Sequence, residues 1–341
     1  MFSPVTQRRF LQFRRNRRGY VSFWIFLVLF FLSLGAEVIA NDKPIVVSYD
    51  HQLYFPILKP YAETTFGGEF ETEADYRDAV VQKLINDKGF MVWPLIHYSY
   101  QTINYNLTVP APAPPSTENW LGTDDQGRDV LARLIYGFRI SVLFGLTLTL
   151  LGSALGILVG AMEGYLGGLF DLLSQRFIEI WSGMPVFFLL IIMSSVITPG
   201  FATLLGLMLL FSWMTLVDVV RAEFLKARNL DYIRAAKALG VSTPVIMFKH
   251  ALPNAMVASL SMMPFVLTGS ISTLTGLDFL GFGMPPGSPS LGELLSQGKN
   301  NLQAPWLGVT AFFSLAIMLS LLTFVGEAVR DAFDPRKIFK E

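Results

Sequence analysis

The sequence has 341 residues and no cysteine, which excludes disulfides, thiolate metal sites and thiol catalysis. Histidine is nearly absent too. His51, His97 and His250 are scattered without ligand spacing, so no bound metal or other cofactor is expected. Charge is sparse: Asp, Glu, Lys and Arg make up 15% of the chain, against about 25% in soluble domains. The two signs cancel, 26 against 26. A net charge of zero is neutral on nucleic acid, which is not expected as a partner.

Apolar residues fill the space that charge leaves. Hydrophobic residues make up 52% and aromatics 13%, with a mean hydropathy of +0.48. Crossing a bilayer as a helix takes about 20 apolar residues. Six segments come close: Val21–Ala40, Ile140–Met162, Gly183–Val196, Phe201–Val217, Ala255–Leu274 and Trp306–Val325. The third and fourth are separated only by 197–200 and form a hairpin. The first follows an Arg-rich start, and VIA before Asn41 looks like a cleavage site, so a signal peptide is one reading. Its apolar run is long for that, and an uncleaved anchor is the reading adopted. The expected fold is an all-α polytopic membrane protein of six transmembrane helices, with a small extracytoplasmic insert between helices 1 and 2.

Positive charge gives the orientation. The first 20 residues carry six Arg and no acid, 221–252 carries six Lys or Arg, and the stretch from Arg330 onward carries four. All three are expected in the cytoplasm. The chain then divides into a basic N-terminus (1–20), span one (21–40), a periplasmic insert with a Pro-rich linker (41–119), an interfacial helix (120–139), a core of helices 2–6 (140–330) and a cytoplasmic tail (331–341). The core includes a cytoplasmic coupling loop, 221–254.

Within the insert, ETEADYRDAVVQKLIND predicts a helix capped by Thr72, with Tyr76, Val80 and Leu84 on one face. KPIVVSY and MVWPLIHYSY suit strands, and VPAPAPPSTEN is a stiff linker. The insert's aromatics suit contact with a substrate or a docking protein; a small core against the membrane surface is the plainer reading. In WLGTDDQGRDVLARLIYGFRIS, Asp124 or Asp125 with Gly127 predicts a turn, and Asp129 and Arg133 an i,i+4 pair on the wet face of an interfacial helix. Trp120 stands where a headgroup anchor belongs.

The middles of spans two to six hold no Asp, Glu, Lys, Arg or His. Ion-coupled carriers need such groups in mid-membrane, so their lack weighs against one. Gly145, Gly152, Ala154, Gly156, Gly160 and Ala161 along span two allow close helix contact. No ATP site is visible: GELLSQGKN at 292–300 has the wrong spacing for a phosphate loop and Asn where Ser or Thr should hold magnesium. Any energy must come from a partner.

The stretch DYIRAAKALGVSTPVIMFKHALPN (231–254) is polar and jointed. Asp231 can cap a helix through Ile233, Ala236 and Leu239, and Gly240 can close it in the left-handed conformation. Thr243 and Pro244 open a second short helix, which Pro253 stops where span five begins. Ala235 and Ala236 present a small face that allows close approach. The stretch is either a rigid elbow that passes motion from a cytoplasmic partner into a span, or an amphipathic loop on lipid headgroups.

RAAKALGVSTPVIMFKHALPN resembles the EAA loop of ABC-transporter importer permeases, whose pattern is Glu-Ala-Ala, three residues, Gly, nine residues, then Ile-x-Leu-Pro. It matches at Ala235, Ala236, Gly240, Leu252 and Pro253 and departs at Arg234 and His250. Both departures are similar to the dipeptide/oligopeptide/nickel branch. WLGTDDQGRDVLARLIYGFRIS resembles that branch's approach to span two, and DFLGFGMPPGSPSLGELL its outer loop, with Asp278 and Leu291 where Ser and Trp are usual. The long insert is similar to that of Yej-type peptide permeases, linked to oligopeptides and microcin C-like peptide antibiotics. The resemblance covers about Trp120 onward, plus the Arg-rich start and first span.

The resemblance implies a non-catalytic permease subunit of an ATP-driven peptide importer in the bacterial inner membrane. Arg234, Ala235, Ala236, Gly240, His250, Leu252 and Pro253 would couple it to a cytoplasmic ATPase. It also implies a second, homologous permease, a periplasmic substrate-binding protein, and either one ATP-binding subunit with two ATPase domains or two such chains, which hold the ATP and magnesium. The alternatives are an ion-coupled secondary carrier or channel, disfavoured by the uncharged mid-spans, and a membrane-anchored outer sensor or enzyme, for which 41–119 shows no chemistry.

Overall fold

A computed structural model describes residues 4–197 and 200–334. The tail expectation for 331–341 and the turn between spans three and four lie largely outside these residues. Along the chain, α1 (Pro4–Arg15), α2 (Arg17–Leu34) and α3 (Ala36–Ile39) precede the insert. The insert holds β1 (Val46–Tyr49), β2 (Gln52–Tyr54), α4 (Ala79–Asn86) and β3 (Gly89–Val92). Then come α5 (Val130–Leu166), α6 (Gly168–Ser182), α7 (Val186–Val196), α8 (Phe201–Ser212), α9 (Val217–Ala227) and α10 (Asp231–Ala238). The last helices are α11 (Thr243–Val245), α12 (Leu252–Phe279), α13 (Leu291–Asn300) and α14 (Pro305–Phe333).

Five helices among the described residues are long and apolar enough to cross a membrane: Arg17–Leu34, Val130–Leu166, Phe201–Ala227, Thr243–Phe279 and Pro305–Phe333. Counting one bent pair as a span makes six. Gly168–Ser182 and Val186–Val196 bend by 71° against each other, because Pro185 sits at the cap of α7 and its ring cannot continue a helix through 183–185. The expected span Gly183–Val196 is therefore only the second half of this bent pair. The other boundaries also move. Span one ends at Leu34 before Gly35, and span two starts at Val130 instead of Ile140.

By packing, the chain divides into two units: 1–28 with 141–285 and 315–341, and 29–140 with 286–314. In the first unit, α5 lies on α9 through a row of glycines. A Cβ on Gly156 would strike the carbonyl of Trp213, and one on Gly160 would come within 2.5 Å of the Val217 oxygen. One on Gly164 would come equally close to the Arg221 oxygen. Four-residue spacing keeps all three on one stripe, so backbone meets backbone without intervening side chains. A Cβ on Gly145 would come within 2.7 Å of Ile271 Cγ1 on α12. Ala154, expected on this face, is exposed instead, since two steps from Gly152 turn it well away. Gly160→Val should destabilise the folded chain by roughly 1–3 kcal/mol through overpacking. An unchanged thermal midpoint of the detergent-solubilised variant would refute this packing.

In the second unit the insert builds a small core around Phe66. Tyr49, Tyr54 and Tyr76 meet that ring edge-on at 5.3–5.7 Å, and Val47, Val81 and Ile85 complete the cluster. The sheet order is β2-β1-β3, antiparallel throughout. Two strand expectations hold in outline, while β2 was not anticipated and β3 precedes most of MVWPLIHYSY. The helix expectation needs correction. It starts at Ala79, capped by Asp78, whose Oδ1 accepts from Val80 N at 2.6 Å. Val81 and Ile85 are buried, while Val80 is 63% exposed. Residues 72–78 instead follow an irregular path, in which Ala62 bridges to Glu73.

Ahead of α5, Gly127 takes a left-handed φ of +81°, and Asp124 Oδ1 accepts from Gln126 N and Arg128 N, both at 2.9 Å. This is the expected turn. The expected surface pair of Asp129 and Arg133 is not formed, because both are buried. Asp129 caps α5, accepting from Ala132 N at 2.7 Å and from Asn119 Nδ2 at 2.8 Å. Burial nonetheless raises the pKa of its carboxyl. Arg133 reaches Glu293 Oε2 at 2.9 Å and Asp124 Oδ2 at 3.5 Å, and donates to the Ser288 carbonyl. Arg128 bridges the same two acids at 2.7 and 3.2 Å. These ion pairs tie the loop before α5 to α13. GELLSQGKN thus falls in a capped helix, with Ser290 Oγ accepting from Gly292 N and Glu293 N.

Candidate functional site

The jointed stretch after α9 is built on an apolar cluster of the first unit. Ile233 of α10 is buried with Val220, Phe224 and Ala227 of α9 and with Ile246, Met247 and Ala251 beyond the joint. The joint itself is made by hydrogen bonds. Gly240 N donates to the Lys237 carbonyl and Val241 N to the Ala236 carbonyl, each at 3.1 Å. This pair of bonds defines a Schellman closure. It requires the left-handed φ of +78° that Gly240 has, where a Cβ is disfavoured.

Beyond the joint the structure departs from the expected pair of short helices. α11 opens with Pro244 in its first turn and passes through one wide π turn, Ile246–Ala251, directly into α12. Pro253 does not stop a helix: it sits in the first turn of α12, where the wide turn has already displaced the hydrogen bond that its nitrogen cannot make. The stretch from Thr243 to Phe279 is thus one helix of 37 residues. Neither Asp231 nor Thr243 is a cap. Leu230 and Ser242 hold those positions without side-chain bonds.

Of the sequence-derived coupling residues, Arg234, Ala235, Gly240 and Pro253 are exposed, and Ala236, His250 and Leu252 are half-buried. Ala236 and Leu252 pack against the apolar cluster, so only Ala235 of the alanine pair offers an open small face. Sequence reasoning missed the strap that fixes the elbow: Asn254 Nδ2 donates to Tyr232 Oη at 2.9 Å, and that hydroxyl reaches the His250 carbonyl at 3.5 Å. It also missed the elbow's apolar tip. Leu239 is 85% exposed, with Val245 and Phe248 exposed nearby.

Under the elbow lies a polar lock. Arg221 holds Asp171 through two bonds, at 2.6 and 2.8 Å. Glu163, fully buried at the end of α5, accepts from Gln175 Nε2 at 2.6 Å. These bonds tie α5, α6 and α9 together directly beside the cluster that carries α10.

The family model of the binding-protein-dependent transport system inner membrane component matches residues 152–339, a stretch that contains the elbow and the helix it feeds. The chain belongs to this family. It is thus a multi-pass permease of the inner membrane, and the ion-coupled carrier or channel alternative falls. The permease is 62% identical to the inner membrane ABC transporter permease protein YejE of Escherichia coli (strain K12), over 98% of each chain. It is 60% identical to the peptidoglycan transport system permease protein YejE of Agrobacterium fabrum, over 99% of this chain and 95% of that one. Both matches necessarily take in the insert. An oligopeptide transport system permease protein, OppC of Lactococcus lactis subsp. cremoris, is 34% identical over 66% of this permease and 78% of its own length.

Proposed function

We propose that this permease is one of two membrane subunits of an ATP-driven importer of peptides, and that it couples to a cytoplasmic ATPase through the elbow 231–254. The names of its relatives, which include oligopeptide and peptidoglycan transport permeases, support a substrate class of peptides or peptide-bearing fragments. The carrying observation is the continuity of elbow and span. α10 is clamped by a glycine closure and an apolar cluster to a helix that runs unbroken from Thr243 to Phe279. A partner that grips the exposed Leu239 tip can therefore move the span. The permease itself performs no catalysis and binds no cofactor. ATP and magnesium belong to the partner, either one chain with two ATPase domains or two chains, while a second permease and a periplasmic binding protein complete the importer.

This reading fixes the topology: both ends and the elbow in the cytoplasm, the insert 41–119 in the periplasm. Asn86 closes α4 and Asn229 follows α9, and both are exposed. In this cysteine-free chain, a cysteine at Asn86 should react with an impermeant maleimide in intact spheroplasts, and one at Asn229 only after lysis. The reverse pattern would overturn the orientation. Recovery of an ATPase with the tagged permease, lost on cutting back the elbow tip (Leu239→Asp), tests the coupling itself.

A further inference from the structure

Between α5 and α6 the chain turns on two consecutive glycines. Gly167 and Gly168 take left-handed φ values of +66° and +60°, and no side chain caps α6 there. A Cβ on Gly168 would meet nothing within 4 Å, so that position needs glycine for its backbone and not for space. The helix that follows is loosely held. Of its residues only Ile178 is buried, while Leu169, Leu172, Leu173 and Ile180 are exposed. Its far end is pinned to α8, where Trp181 stacks on Phe211 and donates to the Leu210 carbonyl at 3.0 Å.

Nearer the glycines, two side chains four residues apart on one face make the attachment. Asp171 accepts two bonds from Arg221 of α9, and Gln175 donates to Glu163 Oε2 of α5. Glu163 is the odd member. Its side chain is fully buried, with the Arg221 guanidinium 4.0 Å from Oε2, and its Oε1 has no hydrogen-bond partner among the described residues. Arg228 does not serve it, being turned to the Gly164 carbonyl at 3.4 Å. A buried carboxylate without a close cation is costly. A guanidinium has five N–H donors, and Asp171 uses two of those on Arg221. Two carboxylates therefore compete for one arginine. One rides on the loosely held helix, and the other belongs to α5, whose glycine row is pressed against α9.

We propose that Arg221 changes seats during the transport cycle. It leaves Asp171 for Glu163, and the near end of α6, freed from α9, turns on Gly167 and Gly168. Asp171 keeps 17% of its side chain exposed, so it can turn to water once released, which Glu163 cannot. Each seat thus gives a complete arrangement, and a small displacement selects between them. The trigger lies on the same helix as the arginine. Val220, Phe224 and Ala227 of α9 are buried with Ile233 of α10, so a shift of the elbow is carried to Arg221. The latch rests on the elbow reading and extends it from α12 to a second moving element.

The test uses the full chain with its partner permease in nanodiscs, spin-labelled through Leu172→Cys on α6 and Asn229→Cys after α9. Pulsed dipolar spectroscopy should show one main distance for the latched form. Asp171→Asn, which takes the charge from the first seat, should bring up a second distance, and Asp171→Glu should restore the original one. Glu163→Gln, which removes the second seat, should stay at the original distance. With the ATPase and a non-hydrolysable ATP analogue added, the wild type should move to the second distance and Glu163→Gln should not. Residues that merely hold the structure would disturb the distance alike at both positions. An Asp171→Asn distance identical to the wild type, or the same shift in Asp171→Asn and Glu163→Gln, sinks the latch alone. The expected Asp171→Asn shift with no wild-type response to ATPase and nucleotide sinks the elbow reading and leaves the two-seat latch standing.

Discussion

Replacing Gly240 by aspartate is expected to leave the permease inserted and folded but to abolish ATP-driven uptake. The residue holds a φ of +78°, yet a Cβ there would meet nothing within 4 Å. The cost within the chain is therefore conformational alone, about 1 kcal/mol, too little to unfold a membrane domain. The position lies one residue from the exposed Leu239 tip, so the added carboxylate falls where a partner has to come close, and there it is unpaired and desolvated. Gly240→Ala should keep partial transport, since it carries the backbone penalty without the charge. Arg234→Glu should be mild, because that side chain is exposed and the resembling loops carry Glu there. Uptake in cells, measured beside recovery of the ATPase on purified permease, decides the matter. Wild-type uptake by Gly240→Asp at normal abundance would reduce the elbow to a surface loop.

Removing the charge of Arg133 should have the largest effect on stability. Its side chain is fully buried between Asp124 and Glu293, and Arg133→Met would leave those two acids with Arg128 alone. Breaking a buried pair from one side costs about 3–5 kcal/mol. The damage should be confined to the unit made of 29–140 and 286–314, seen as accelerated proteolysis of the insert in the purified protein. Adding Glu293→Gln should recover part of the loss, because it removes one of the stranded charges. Proteolysis at the wild-type rate would show that the ion pairs do not hold this unit together.

The same arginine shows where reading the sequence stopped. Four-residue spacing placed Asp129 and Arg133 on one helix face, as it should, but spacing cannot say whether a face meets water. The partners that make burial tolerable, Asp124 and Glu293, include one 160 residues away. The spans were legible because about 20 apolar residues have few other uses, and the small face of α5 because glycine at every fourth position leaves a helix little else to offer. Boundaries were not legible. Pro253 stands where a helix is expected to stop, but a wide turn absorbs it, and of the pair that Pro185 bends only the second half shows in the sequence as a span. In the elbow, Gly240 was found from its place after a periodic run. The Tyr232–Asn254 strap and the exposure of Leu239 depend on how α10 rolls onto the cluster, which is a tertiary fact.

The 37-residue helix from Thr243 to Phe279 would measure about 55 Å at a rise of 1.5 Å per residue, roughly twice the thickness of a bilayer's hydrocarbon core. It is not uniformly stiff. The π turn at Ile246–Ala251 widens it near one end, and Pro264 deletes a rung within it. Such a rod behaves as a crowbar with two built-in creases. A small rotation imposed at the elbow is magnified by the arm beyond it, and the creases decide which length of the arm swings and which stays anchored. Stroke and gearing would then be set by the position of one proline and one inserted turn, so moving Pro264 along the helix would change how far the far end of the helix travels without touching the elbow.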